Sequence, residues 1–272
     1  MDVEGVPRVE CCRPDRASLT VRLGVIVENY RTCARLSGTS VAAVVKADAY
    51  GLGMRPIVRA LAVSGCDTFF VARLEEGIRL RPLLPDSRIF VLDGVPPQAA
   101  EALIEYRLVP VLNTLDQIAA WSAAARQRHE ILDAAVHVDT GMNRLGLPAD
   151  ELPILAAQAR ERLGNVNPVL VMSHLACSDD SSTEMNARQL ARFRAALAML
   201  PPASASLAAS GGVLLGRDFA FDMVRPGIAL YGGNPRCGAP NPFQTVARLT
   251  GRILQLRRVD KGEYVGYGAT FR

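Results

Sequence analysis

Lysine is almost absent from this chain. Of 31 basic residues among 272, only Lys46 and Lys261 are lysines, and the rest are arginines. Charge of one sign is also lacking: 27 acidic residues leave a net +4. With no dense basic block and no basic stripe interleaved with aromatics, nucleic acid is not read as a partner. No apolar run approaches the ~20 residues that span a bilayer, so no membrane association is expected. The first thirty residues mix charges with apolar groups and show no secretory segment. The six cysteines (Cys11, Cys12, Cys33, Cys66, Cys177 and Cys237) form no C-x-x-C pair and have no metal-like spacing. They read as reduced thiols in a cytoplasmic protein. Neither G-x-G-x-x-G nor G-x-x-x-x-G-K-S/T occurs, which removes the usual phosphate fingerprints of an open doubly wound sheet. An apolar content of 49% excludes a disordered chain.

What is present is a repeating grammar of short apolar, β-branched runs, each followed by a turn and an amphipathic stretch. The expected strands are 42–46, 67–72, 88–93, 109–113, 135–139, 169–174, 205–210 and 224–230. Their continuous apolar character fits parallel strands covered on both faces. Apolar spacing of three and four predicts helices over 19–34, 57–64, 98–106, 115–128, 151–163 and 184–200. Eight such units fit an α/β chain folded as a (β/α)₈ TIM-type barrel, a fold of ~250 residues; periodicity alone leaves an open sheet as the alternative. Residues 1–17 read as a polar leader and 18–240 as the barrel. From 241 to 272 apolar and polar residues alternate, with a turn at Asp260-Lys261-Gly262-Glu263, as at the start of an antiparallel β domain.

Lys46 ends the run Val-Ala-Ala-Val-Val. An amine at the end of a buried strand loses solvation, which favours the uncharged form that attacks a carbonyl. Arginine cannot make a Schiff base, which gives a reason for lysine at this site. Active sites of barrels lie at the carboxyl ends of the strands. That rim also collects Arg144, His174, Ser210 and Arg225. Glycines follow strands seven and eight at Ser210-Gly211-Gly212 and Arg225-Pro226-Gly227-Ile228, where backbone N–H groups can approach an anion. A lysine beside a phosphate cradle points to pyridoxal 5′-phosphate. Taken singly, each residue has a plainer reading: His174 as a satisfied core histidine, Ser210 as a helix cap, Arg144 as a solvated charge, and Tyr267 as a cross-strand packing residue.

Four ordered segments carry a resemblance. Val44-Val45-Lys46-Ala47-Asp48-Ala49-Tyr50-Gly51, Val138 to Gly146, Met223 to Gly232 and Val265 to Thr270 resemble alanine racemase from about Leu19 to the last residue. The resemblance implies that Lys46 holds pyridoxal 5′-phosphate and is the base on one face of the substrate. It makes Tyr267, contributed by the other subunit of a homodimer, the base on the opposite face. It gives Arg144 the alanine carboxylate, and it gives Tyr50, Ser210 and the Gly227 and Ile228 backbone the phosphate. His174 would pack against the cofactor ring, and Arg225 would face its pyridine nitrogen. The implied role is supply of D-alanine for peptidoglycan.

The chain departs from the family pattern at three places. His137 stands where many members have a lysine modified to a carbamate, and an imidazole supplies no such anion to align Arg144. Ala209 replaces an asparagine before the phosphate-gripping serine. The family's C-terminal domain continues beyond the equivalent of Arg272, so a truncated second domain is expected. A barrel that binds the cofactor without racemase turnover is the alternative reading, and a barrel amino-acid decarboxylase a weaker one.

Overall fold

The apolar runs fold as strands whose side chains point alternately to two dry environments, which is why no polar face shows in the sequence. In the computed structural model the described residues are 17–96, 98–236 and 238–272. Of the expected leader only Ala17 falls among them, and Cys11, Cys12 and Cys237 lie outside them. The strands are β1 (Ser18–Val21), β2 (Ser40–Val41), β3 (Ala43–Val44), β4 (Thr68–Val71), β5 (Arg88–Val91), β6 (Val109–Leu112), β7 (Leu132–His137), β8 (Val166–Met172), β9 (Ser204–Ser206), β10 (Met223–Val224) and β11 (Ala247–Thr250). From β3 to β9 they form one parallel sheet in chain order.

The sheet closes through β10. Val224 lies opposite Val41, and Ala42, which separates β2 from β3, donates its N–H to Val224 O at 2.9 Å. On the other side Arg225 N donates to Ala208 O at 2.9 Å and Asp222 N to Ala205 O at 3.1 Å. The result is the expected barrel. Its interior is filled by Ala42, Val44, Phe70, Phe90, Val111, Ala135, Leu170 and Met172. The alternate residues Ala43, Val45, Phe69, Val71, Ile89 and Val91 face the larger outer core, as a period of two requires.

The helices are α1 (Leu23–Ser37), α2 (Lys46–Tyr50), α3 (Met54–Val63), α4 (Leu74–Leu80), α5 (Ala100–Glu105), α6 (Leu115–Arg128), α7 (Glu151–Ala157), α8 (Ala159–Leu163), α9 (Glu184–Met199) and α10 (Ser210–Val213). Thr114 and Thr183 cap α6 and α9 by accepting the backbone N–H groups of Gln117 and Met185. No helix among the described residues is long and apolar enough to cross a membrane. Cys33, Cys66 and Cys177 are free thiols, and burial pushes those of Cys33 and Cys66 up, to about 12 and about 11.

Four expectations need correction. The helix expected from Leu19 begins only at Leu23, because Ser18–Val21 pairs with β11 instead. The helix expected over 151–163 is two helices broken at Gln158, whose φ of −118° is not helical. The eighth strand ends at Val224 rather than 230: Pro226 has no N–H to give to a ladder, and Leu230 N turns back onto Gly227 O at 2.9 Å. After β11 the alternating tail forms no further strand. It keeps the expected turn, with Glu263 N on Asp260 O at 3.1 Å, and one bridge between Val265 and Phe271. An isolated pair of strands is marginal in water.

Residues 21–247 form one compact unit, and the described residues before and after it form another. In the second unit Leu249, Ile253, Leu254 and Leu256 stand exposed.

Candidate active site

A cavity of about 390 Å³ lies at the carboxyl ends of the barrel strands. It brings together Lys46, Tyr50, Arg144, His174, Ser210, Arg225, Gly227 and Ile228. Tyr267 is not among the lining residues. It belongs to the other compact unit, where its side chain is fully exposed.

Lys46 follows directly on Val45 at the end of the first barrel strand and opens a turn of unusual hand. Ala47, Asp48, Ala49 and Tyr50 all have φ between 51° and 57°. L-residues in the left-handed helical region cost roughly 1–2 kcal/mol each, so the surroundings must hold this turn. Ala49 N donates to Val45 O at 2.9 Å and Gly51 N to Ala47 O at 2.8 Å. Asp48 Oδ1 accepts Met54 N at 2.8 Å. The buried carboxylate of Glu76, on α4, accepts Ala47 N at 2.6 Å, Ala72 N at 2.7 Å and Arg73 N at 3.3 Å. It ties the residue after Lys46 to the end of β4.

Opposite the lysine, the loop after β10 folds around Ser210. The Ser210 hydroxyl oxygen accepts Gly227 N at 2.9 Å and Ala229 N at 3.2 Å. Gly227 is required by close approach: a Cβ there would lie 2.1 Å from the Tyr50 hydroxyl oxygen. Tyr50 packs on Tyr231, ring centroids 4.7 Å apart, and the Tyr231 hydroxyl donates to Val44 O at 2.9 Å. Burial raises the Tyr50 pKa, so its hydroxyl remains a donor at neutral pH. The Tyr50 and Ser210 side chains thus converge with Gly227 and Ile228 at one end of the cavity, the Gly227 N–H being engaged by Ser210.

Arg225 forms the floor. It is buried, lies 5.9 Å from the centroid of the Phe70 ring, and donates to Ser206 Oγ and, at 2.5 Å, to Ser173 O. Burial pushes its pKa down to about 9, which still leaves a cation at neutral pH. Ser173 Oγ is bonded to Thr140 Oγ1 at 2.8 Å; Gln189 Nε2 donates to Thr140 Oγ1 at 3.1 Å and to His174 O at 2.9 Å. This chain of bonds fixes the backbone beside His174. Desolvation, followed by the charges of Arg225 and Arg144, brings the His174 imidazole down to about 3.

Arg144 sits on a loop shaped by Asp139, whose Oδ1 accepts the N–H groups of Gly141 at 2.8 Å and Met142 at 2.9 Å. Its guanidinium is exposed and has no hydrogen bond or ion pair among the described residues. His137 also lines the cavity, with Nδ1 2.7 Å from Asn113 Oδ1. Burial, then the charge of Arg225, lowers its pKa to about 4.

Sequence reasoning did not single out Glu76, Asn113, Ser206 or Gln189. Ser206 sits inside an apolar run, Asn113 at the end of one, Glu76 on the buried face of α4 beside Gly77 and Leu80, and Gln189 on that of α9, which also buries Asn186. A polar residue at a position the period assigns to the core was the available signal.

Comparison with known proteins follows the same outline. The family model described as the N-terminal domain of alanine racemase matches residues 21–235. The alanine racemase of Rhodospirillum rubrum is 49% identical over 261 residues, covering 94% of this chain and 70% of that protein. That of Rhizobium meliloti is 48% identical, covering 93% and 67%. Among solved structures, alanine racemase from Bartonella henselae with covalently bound pyridoxal phosphate superposes with a TM-score of 0.86 at 41% identity. The match covers 90% of this chain and 71% of that one.

Proposed function

The chain belongs to the alanine racemase family and catalyses the pyridoxal 5′-phosphate-dependent interconversion of L- and D-alanine; we propose that the barrel cavity is where it does so, with Lys46 as the attachment point. The residues present fit the cofactor. The cradle of Tyr50, Ser210, Gly227 and Ile228 offers donors without a carboxylate, as a phosphate needs, and the glycine Cα is all the space between Gly227 and Tyr50 admits. Arg225 presents a donor to a ring nitrogen, and His174 a neutral ring to its side.

When bound, the cofactor supplies the electron sink that makes the alanine Cα proton removable. The remaining work falls to the chain. Interconversion of hands requires a proton to leave one face of Cα and return on the other, so two bases must stand on opposite faces. Lys46 takes and returns the proton on one face. Tyr267 of the partner subunit serves the other, in a homodimer. The exposed Leu249, Ile253, Leu254 and Leu256 supply apolar area for such an association. Arg225 keeps its proton, so it would donate a hydrogen bond to a ring nitrogen without protonating it, which would favour racemisation over transamination. Arg144 takes the substrate carboxylate. The enzyme supplies D-alanine for peptidoglycan, in the cytoplasm.

The observation that carries this assignment is the convergence of Lys46 and the Tyr50–Ser210–Gly227 cradle on one cavity. The test is borohydride trapping of the cofactor followed by peptide mass analysis. The label is expected on the peptide containing Lys46 and absent from Lys46→Ala; a label elsewhere overturns the assignment. Deuterium wash-in at the alanine α-carbon separates turnover from binding alone, and Tyr267→Phe is expected to suppress exchange on one enantiomer more than on the other.

A further inference from the structure

Taking Arg144 as the carboxylate anchor, we propose that His137 is the positioning residue for that arginine, accepting a guanidinium N–H at Nε2, and that Asn113 selects the tautomer that makes Nε2 an acceptor.

The Asn113 amide leaves no choice of orientation. Its Nδ2 donates to Leu92 O at 3.0 Å and to Val111 O at 2.9 Å. Carbonyl oxygens only accept, so the nitrogen belongs on that side and Oδ1 faces His137. The residue is further held by its own N–H, which donates to Gln117 Oε1 at 2.8 Å, while Gln117 Nε2 donates to Asp93 O at 3.1 Å. Oδ1 can only accept, so the 2.7 Å contact puts the proton on His137 Nδ1. The ring is neutral, because burial and the cations Arg225 and Arg144 outweigh the one acidic neighbour, Asp139. A neutral imidazole protonated at Nδ1 carries its lone pair at Nε2.

The ring is also clamped. A Cβ on Gly146 would come 3.1 Å from His137 Cγ and 2.8 Å from Asp139 N, so the loop carrying Arg144 lies directly against it. Gly146, with φ of +102°, makes this approach possible. Leu147 N donates to His137 O at 2.8 Å and Asp139 N to Leu147 O at 2.9 Å, closing the loop over the strand end. His137 and Arg144 then line the same cavity, the arginine with five donors and no partner among the described residues, the histidine with an acceptor at Nε2. Arg225, a buried cation nearby, is engaged with Ser206 and Ser173.

Two substitutions separate the two ring nitrogens. In His137→Asn the side-chain amide keeps a donor toward Asn113 but has nothing at the Nε2 position. In His137→Gln the longer amide places an oxygen near Nε2. With both variants folded by circular dichroism, His137→Asn is expected to raise the alanine KM about tenfold or more with a smaller change in kcat, and His137→Gln to restore most of it. Nitrogen-15 NMR of the histidine ring is expected to show a protonated Nδ1 and an unprotonated Nε2 at neutral pH, and Asn113→Leu to abolish that preference. A protonated Nε2, or equal KM values for the Asn and Gln variants, overturns the proposal. Failure of the anchor reading is separate: in that case Arg144→Lys leaves KM unchanged whatever the tautomer.

Discussion

The side-chain carboxylate of Glu76 accepts the backbone N–H of Ala47 at 2.6 Å, one residue beyond the lysine assigned to the cofactor. Without that contact nothing from outside the left-handed turn holds its first peptide. Glu76→Gln puts an amide N–H against N–H donors already satisfied by the carboxylate. It is expected to lower unfolding stability by about 1–3 kcal/mol and to loosen cofactor retention, read by denaturant unfolding and by absorbance after gel filtration. Wild-type values for both would remove Glu76 from the turn's support.

Gly227→Ala tests the cradle sterically, since no positive φ is involved at that position. The added methyl meets the Tyr50 hydroxyl, so Tyr50 must swing away from the phosphate end. Cofactor affinity is expected to fall by about tenfold, the equivalent of one charge-assisted hydrogen bond, while the melting temperature of the cofactor-free protein moves little. Titration of the cofactor-free protein by fluorescence checks this.

The buried histidines set an acid limit. The unfolded chain takes a proton on His137 below its ordinary pKa of about 6.5, whereas the folded chain does so only near 4. Between those values the unfolded state binds more protons, so stability falls as pH falls and levels off below about 4. The shift corresponds to about 3 kcal/mol for His137, and His174, at about 3, extends the loss further. Thermal melts between neutral pH and that limit are expected to show the decline, with a shallower slope for His137→Gln. An unchanged slope would assign it elsewhere.

Phe70 is fully buried, stacks on Phe90 at 4.6 Å and lies under Arg225. Phe70→Ala opens a void in the barrel interior and is expected to cost about 3–5 kcal/mol. Phe70→Leu should cost less and leave racemase activity reduced rather than lost, because it refills the floor without the ring. Comparing unfolding midpoints with kcat distinguishes packing from a direct role of the ring.

Much of this site was legible in the residues themselves. Lys46, His174 and Ser210 fall at the ends of expected apolar runs, and a barrel places those ends on one rim; Arg225, expected inside the eighth run, joins them because that strand stops at Val224. Helix α6 matches the expected 115–128 because a threonine cap precedes it and its apolar spacing is unbroken. Helix α4 and its Glu76 were not legible, since seven residues with two adjacent glutamates give a weak period.

Local sequence determined the alternation of strands and helices, the retained lysine and the glycines that admit an anion, because each follows from steric and solvation preferences within a few residues. Tertiary structure decided what depends on distant partners. Ser18–Val21 became a strand only because Ala247–Thr250 lies beside it, and the sheet became a barrel only because Val224 meets Val41. The tautomer of His137 was likewise set by an asparagine 24 residues away, whose amide orientation depends on two carbonyls supplied by neighbouring strand ends. Pairings of that range leave no trace in local periodicity, since their energy exists only after the chain has closed on itself.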